Sequence, residues 1–246
     1  MAVRIDGARV LVTGAGRGLG RVFVASLLAR GADTVYAGVR DLAAEVSPGA
    51  VPIKLDITSP DDVAGAVARC ADVDILINNA GIMRFAPLLE APDMADAHAE
   101  METNYFGTLR MCRAFAPVLA RNGGGALVNV LSIVSWFANP QNSSYCASKS
   151  AAWSLTNAAR IELRRHGTLV TGVFAGVIDT EMGAAFTDLP KVSAQSVVDQ
   201  ALDGIEAGAE EVLCDERTRS VKAALPQDLC EIYPVHQARW DSTHPA

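Results

Sequence analysis

The chain has little cysteine in any useful arrangement. Its five residues, Cys70, Cys112, Cys146, Cys214 and Cys230, are odd in number, widely scattered and without a C-x-x-C pair. This argues against both a disulfide framework and a zinc site. Histidine is also sparse: His98, His166, His236 and His244 have no metal-ligand spacing and read as surface residues. No apolar run approaches the roughly 18 residues that a membrane span requires. The opening "MAVRIDGARV" lacks the apolar stretch of a secretory signal, so the expected location is the cytoplasm. A net charge of −7 with no basic block leaves nucleic acid an unexpected partner, and the acidity mainly serves solubility.

What remains is a folded composition: 246 residues, half of them apolar and a fifth charged, enough for a full core. No linker, repeat or low-complexity block divides the chain, so one domain over residues 1–246 is expected. Short β-branched runs alternate with helical patterns, the signature of an α/β fold with a doubly wound parallel sheet covered on both faces. Seven strands are expected: Ala8–Gly14, Asp33–Arg40, Val51–Ile57, Val73–Gly81, Gly125–Ser132, Leu169–Gly176 and Glu211–Asp215. Gly18–Arg30 reads as a helix with Gly31 at its C-cap. "SPDDVAGAVARC" starts another, with Ser59 as N-cap and Pro60 at the first helical position. Ser143–Gly167 is the most helical segment and closes on Arg164, Arg165 and His166 beside the negative end of its dipole. The proline-rich tail from Leu225 has no assigned role.

The first strand runs into "TGAGRGLG". Counted from Gly14 or Gly16, the G-x-G-x-x-G fingerprint fails, because Leu19 or Arg21 takes the third glycine's place. A strand turning through glycines into a helix nevertheless exposes unpaired N–H groups at a positive helix end, which is an anion site. Gly14 permits the turn, Gly18 clears space for a diphosphate, and Gly20 allows close packing of helix on sheet. An NAD site needs a carboxylate about 20 residues on, to meet the ribose 2′-hydroxyl. Here the second strand ends "YAGVRD", and the Arg40 guanidinium suits a 2′-phosphate, with Arg17 as a second cation. Asp41, next to Arg40, is the competing acid; the balance of charge favours NADP(H).

Tyr145 and Lys149 are four residues apart in the strongest helix and share one face. An ammonium near a phenol is expected to lower its pKa and make it a usable acid or base. Ser132, thirteen residues upstream of Tyr145, ends a strand on the carboxyl side of the sheet, where ligands bind in such folds. Ser135 competes for its role, and Cys146 reads as a packed helix residue.

Taken together, "TGAGRGLG", "NNAG" from Asn78, "NYFG" from Asn104, Ser132 and "YCASK" from Tyr145 resemble the short-chain dehydrogenase/reductase family over about residues 8 to 180. The resemblance implies a Rossmann fold and the motif T-G-x-x-x-G-x-G, which Thr13, Gly14, Gly18 and Gly20 fit. It implies Tyr145 as proton donor, with Lys149 on the nicotinamide ribose. Ser132 would orient the carbonyl and Asn104 would support a relay water. Asp56 would contact adenine, Asn78 and Gly81 would line the cofactor groove with Leu19, and Thr180 would meet the carboxamide. Arg17 with Arg40 matches the family's NADP-preferring pattern. Two departures stand out: Ala175-Gly176 replaces Pro-Gly after the sixth strand, and the last strand lacks an aspartate-glycine-glycine ending. A homo-oligomer, dimer or tetramer, is expected.

Met83, Phe85, Trp136 and Phe137 lie in loops bordering the site and point to an apolar carbonyl or alcohol as substrate. "GAAFTDLP" after Thr180 reads either as a lid or as an ordinary surface loop. The expected activity is NADPH-dependent interconversion of a carbonyl compound and its alcohol. The alternatives are a non-catalytic NADP(H)-sensing protein and an enoyl or imine reductase.

Overall fold

The computed structural model describes residues 2–85 and 87–244. Seven parallel strands form the main sheet in the order β3-β2-β1-β4-β5-β6-β9. They are β1 (Arg9–Thr13), β2 (Thr34–Val39), β3 (Val51–Lys54), β4 (Ile75–Asn78), β5 (Ala126–Val130), β6 (Leu169–Phe174) and β9 (Glu211–Leu213). All seven strands expected from the sequence are present, shortened at their ends where the chain leaves the ladder. The order reverses between β1 and β4, which pair directly through Val10–Ile75, Leu11–Leu76 and Val12–Ile77.

Alternation along the strands feeds two cores. Val10, Val12, Ile75, Ile77 and Val128 point to one face, where α1 (Gly18–Ala29) and α6 (Ala194–Ala207) cover them. Leu11, Leu76, Leu127 and Val170 point to the other, under α2 (Pro60–Arg69), α4 (Thr108–Arg121) and α5 (Ser143–Leu163). Because both faces are covered, the strands read as continuous apolar runs and show no polar alternation.

The expected helix signals hold. Ser59 caps α2 by accepting from Asp62 N–H at 3.2 Å, and Gly31 leaves α1 at φ +82°, a conformation that favours glycine. The long α5 ends in a tight turn over Arg164–His166 that closes on Gly167 at φ +69°.

Three parts of the structure had no clear sequence signal. A helix begins as α3 (Ala95–Glu100), widens into a π turn over Met101–Gly107 and continues as α4. Such wide turns recur at functional sites. The strands β7 (Val177–Asp179) and β8 (Lys191–Ser193) pair with each other and so tether both ends of the "GAAFTDLP" loop. The tail folds as well: after α7 (Glu216–Ala224) come α8 (Asp228–Glu231) and α9 (Tyr233–Thr243). Two of its prolines, Pro226 and Pro234, sit in first turns, where a missing N–H is an orphan anyway. Ile232 and Tyr233 pack on Ile133, Val134, Phe137 and Tyr145, so the tail closes over the loop after β5.

Among the described residues, no helix is long and apolar enough to cross a membrane.

Candidate active site

The carboxyl ends of β1, β4, β5 and β6 gather the expected residues along one edge of the sheet. At the first of them, Gly14 has φ +66° and Gly18 φ +50°. A Cβ on Gly20 would lie 2.2 Å from the Gly14 carbonyl oxygen, so only glycine fits. Helices α2, α6 and α7 each begin with a side chain bonded to a first-turn N–H. The first helix α1, like α5, has no side-chain cap and no acid in its first turn. Its N–H groups and dipole therefore stay available to an external anion, which fits the diphosphate of a dinucleotide. Leu19 is buried in the first turn of α1. A Cβ on Gly18 would come within 3.7 Å of Thr180, so the loop after β7 overlies the glycine turn.

Two residues expected in the groove serve the scaffold with their side chains. Thr13 Oγ1 accepts from the N–H groups of Asn79 and Ala80, both at 3.0 Å, and so ties the end of β1 to the end of β4. Asn78 points to the opposite face of the sheet. Its Nδ2 donates to Asn129 Oδ1 at 2.9 Å, and Asn129 Nδ2 in turn donates to Thr156 Oγ1 on α5 at 2.9 Å. Strand alternation is the reason: the neighbour Asn79 takes the groove side, donating to Thr13 O at 2.9 Å and Gly14 O at 3.3 Å. Asn79 thus braces the glycine turn from the groove side, a role that period-two alternation within "NNAG" signals.

At the end of β2, Arg40 is exposed and makes no ion pair among the described residues. The competing Asp41 turns its carboxylate back to accept from Ala43 N–H at 2.9 Å. Arg17 reaches across to Glu181 at 2.6 Å, with both side chains exposed. Asp56, just past β3, accepts from the Thr58 N–H and hydroxyl at 2.9 and 2.7 Å.

The residues expected to carry the reaction lie close together. Tyr145 and Lys149 lie on one face of α5, with the Lys149 Nζ 5.8 Å from the phenol ring centroid. Lys149 donates to Val130 O at 3.0 Å, and a Cβ on Gly81 would come within 3.6 Å of its Nζ. Burial lowers the lysine from 10.5 to about 8. Burial also pushes the Tyr145 phenol above its ordinary value, with the Cys146 thiol and Glu100 adding to the rise and the Ser132 hydroxyl opposing it. The expected depression by Lys149 is therefore not what this geometry produces. The phenol stays protonated through the neutral range. Cys146 is buried and its thiol is raised to about 11, so it is a packed residue and no nucleophile.

Ser132 and Ser135 divide their roles. Ser135 Oγ accepts from Ser132 N–H at 3.3 Å and Ser132 Oγ from Val134 N–H at 3.3 Å, a reciprocal cap on the short turn after β5. Only the Ser132 hydroxyl of the two acts on Tyr145. In the π turn, buried Asn104 holds both polar groups of Ile82: Oδ1 accepts from its N–H at 2.9 Å, and Nδ2 donates to its carbonyl at 2.8 Å. Ala175-Gly176 is restrained by a partner: Gly176 N–H donates to Asp215 Oδ2 at 2.7 Å.

Of the four apolar loop residues, Trp136 stacks on Phe174 at 4.4 Å under Lys222, and Phe137 is buried against the tail. Met83 packs beside them, and Phe85 faces a cleft of about 430 Å³. Polar residues Gln141, Thr187, Asp188 and Arg239 line this cleft together with Phe186 and Trp240, and none of Ser132, Tyr145 and Lys149 is among its lining.

Comparison with known proteins follows the same lines. The short chain dehydrogenase family model matches residues 8–190. A sorbitol dehydrogenase of Cereibacter sphaeroides is 33% identical, covering 98% of this chain and 100% of its own. A short chain dehydrogenase from Burkholderia cenocepacia J2315, solved in complex with NADP, is 46% identical with a TM-score of 0.86, covering 92% of this chain and 95% of its own. A gluconate 5-dehydrogenase of the same organism, solved with NADP and tartrate, is 26% identical with a TM-score of 0.79, covering 88% and 98%. With the glycine turn, the serine, the tyrosine and the lysine gathered at one sheet edge, the chain belongs to the short chain dehydrogenase family of oxidoreductases.

Proposed function

We propose that this protein is an NADP(H)-dependent carbonyl reductase or alcohol dehydrogenase, with Tyr145 exchanging the proton on the substrate oxygen. The observation that carries the reading is the pairing of an uncapped α1 N-terminus with a buried, protonated Tyr145 beside Ser132 and Lys149. When bound, the nicotinamide supplies or accepts the hydride. Ser132 donates a hydrogen bond to the carbonyl oxygen and holds it beside the phenol. Tyr145 delivers its proton to that oxygen as negative charge develops, and Lys149, charged below about pH 8, stabilises the phenolate left behind. Asn104 fixes the turn at Ile82 that borders this group.

Preference for the phosphorylated cofactor follows from charge. Arg40 is free to meet a 2′-phosphate, and an exposed pair such as Arg17–Glu181 is worth at most about 1 kcal/mol, so Arg17 is readily released to join it. Two relatives in the comparison, one solved with NADP and one with NADP and tartrate, support the same assignment. Relatives named for sorbitol and gluconate favour a carbonyl compound carrying hydroxyl groups over a purely apolar one. A sensor without catalysis has no use for a buried, protonated Tyr145 beside the Ser132 hydroxyl, which argues for the enzyme.

The test is Tyr145→Phe. Turnover of ketoses and simple ketones should fall to background while NADPH affinity, measured by fluorescence titration, stays near wild type. Retained turnover would remove the assignment.

A further inference from the structure

Among the described residues, Glu100 is the one fully buried carboxylate, with 0% exposure. An interior carboxylate is costly unless its oxygens are bonded, and an apolar side chain would fill the space more cheaply. Its two oxygens serve two different elements. Oε1 accepts from the Arg84 backbone N–H at 2.5 Å, and Oε2 accepts from the Ser144 hydroxyl at 2.5 Å. Arg84 belongs to the loop after β4, whose next residue, Phe85, lines the cleft. Ser144 immediately precedes Tyr145 in the first turn of α5. Asn104, four residues after Glu100, pins Ile82 of the same loop.

We propose that Glu100 is a positioning residue that clamps the 82–85 loop, whose Met83 packs on the cluster containing Tyr145, to the first turn of α5, and so sets the height of a bound carbonyl over the Tyr145 hydroxyl. The proposal rests on the reading of Tyr145 as proton donor. Its charge adds a second effect. Facing Glu100 are the Ser144 hydroxyl, the Arg84 backbone and guanidinium, and Asp96; facing the phenol are Cys146, Ser132, Lys149 and Glu100 itself. A carboxylate among them disfavours the phenolate and keeps the proton on Tyr145.

Two variants separate the clamp from the charge. In Glu100→Gln the amide oxygen accepts from Arg84 N–H and the amide nitrogen donates to Ser144 Oγ, so the tie survives and the charge is gone. In Ser144→Ala the charge survives and the tie to α5 is lost. Both are assayed with NADPH and the best-reduced ketose of a panel, and with NADP and the corresponding polyol in the reverse direction. Ser144→Ala should raise the ketose KM roughly tenfold, the effect of one lost hydrogen bond to a charged group, with NADPH affinity unchanged. Glu100→Gln should keep the KM near wild type, and the rising limb of its polyol-oxidation profile, where the phenol must lose its proton to act as base, should move to lower pH by on the order of half a unit. Wild-type kinetics in Ser144→Ala, or an unmoved profile in Glu100→Gln, would overturn the proposal. If Tyr145→Phe is inactive while Ser144→Ala is normal, only the clamp fails; an active Tyr145→Phe removes the reading beneath it.

Discussion

Replacing Lys149 by methionine should make the protein more stable and leave it inactive. Lys149 is 6% exposed, and among the described residues no carboxylate pairs with it. Burial lowers its pKa from 10.5 to about 8, which corresponds to roughly 3 kcal/mol set against the folded state while the group is charged. Methionine keeps the unbranched apolar stem and removes the charge. It also removes the bond to Val130 O, and that loss takes back about 1–2 kcal/mol. The net gain is therefore about 1–2 kcal/mol, or roughly 2–4 °C in Tm per kcal/mol for a chain of this size. The pH dependence identifies the cause. Between about 8 and 10.5 the unfolded chain holds this proton and the folded chain does not, so wild-type stability rises with pH through that window. Below about 8 the penalty is present in full. The advantage of the methionine variant should thus be largest at neutral pH and fade toward pH 10.5, as read by urea denaturation of cofactor-free protein across a pH series. A variant less stable than wild type at neutral pH, or an advantage that grows with pH, would refute the reasoning. The expected trade-off, stability gained as turnover is lost, marks the lysine as retained for chemistry.

Three further outcomes follow from the geometry. Arg40→Ala should weaken NADPH roughly ten- to a hundredfold, the worth of a charge-assisted bond, and leave NADH nearly unchanged; equal losses for both would show that Arg40 reads no phosphate. Gly20→Ala places a Cβ 2.2 Å from Gly14 O, so titration calorimetry should show dinucleotide binding reduced by about a hundredfold or more, and a wild-type affinity would contradict the clash. Ser135→Ala should lose about 1 kcal/mol of stability through its half of the reciprocal cap and retain activity, whereas Ser132→Ala should lose a similar amount of stability and, in addition, most of kcat. The reverse pattern would reassign the catalytic serine.

Local chemistry determined a large part of this protein directly in the sequence. All seven main strands were legible because each is an apolar run bounded by turn residues. The caps at Ser59 and Gly31 were legible because capping depends on one or two neighbouring residues. The glycine turn and the Tyr145–Lys149 spacing were equally local, since a helix fixes which residues share a face.

Where the reading failed, the deciding contact lay far away in sequence. Alternation puts Asn78 and Asn79 on opposite faces, but which face bears the groove was decided only by the partners of β4, Asn129 on one side and the Thr13–Gly14 turn on the other. The tail looked like loop because Pro226 and Pro234 resemble helix breakers until their places in first turns are known. Trp136 and Phe137 looked like pocket walls, yet Lys222 and the tail cover them. The phenol pKa is the same kind of case. A lysine one helical turn away implies a lowered value, but burial of both groups by β5, the π turn and the tail raises it. Sequence alone therefore determined the strands, the caps, the glycine turn and the reactive pair, because these depend on backbone geometry over a few residues. Tertiary structure decided which side chains face the cleft, which oxygens Glu100 holds and how tightly Tyr145 keeps its proton, because burial and electrostatics are sums over every element packed around a group.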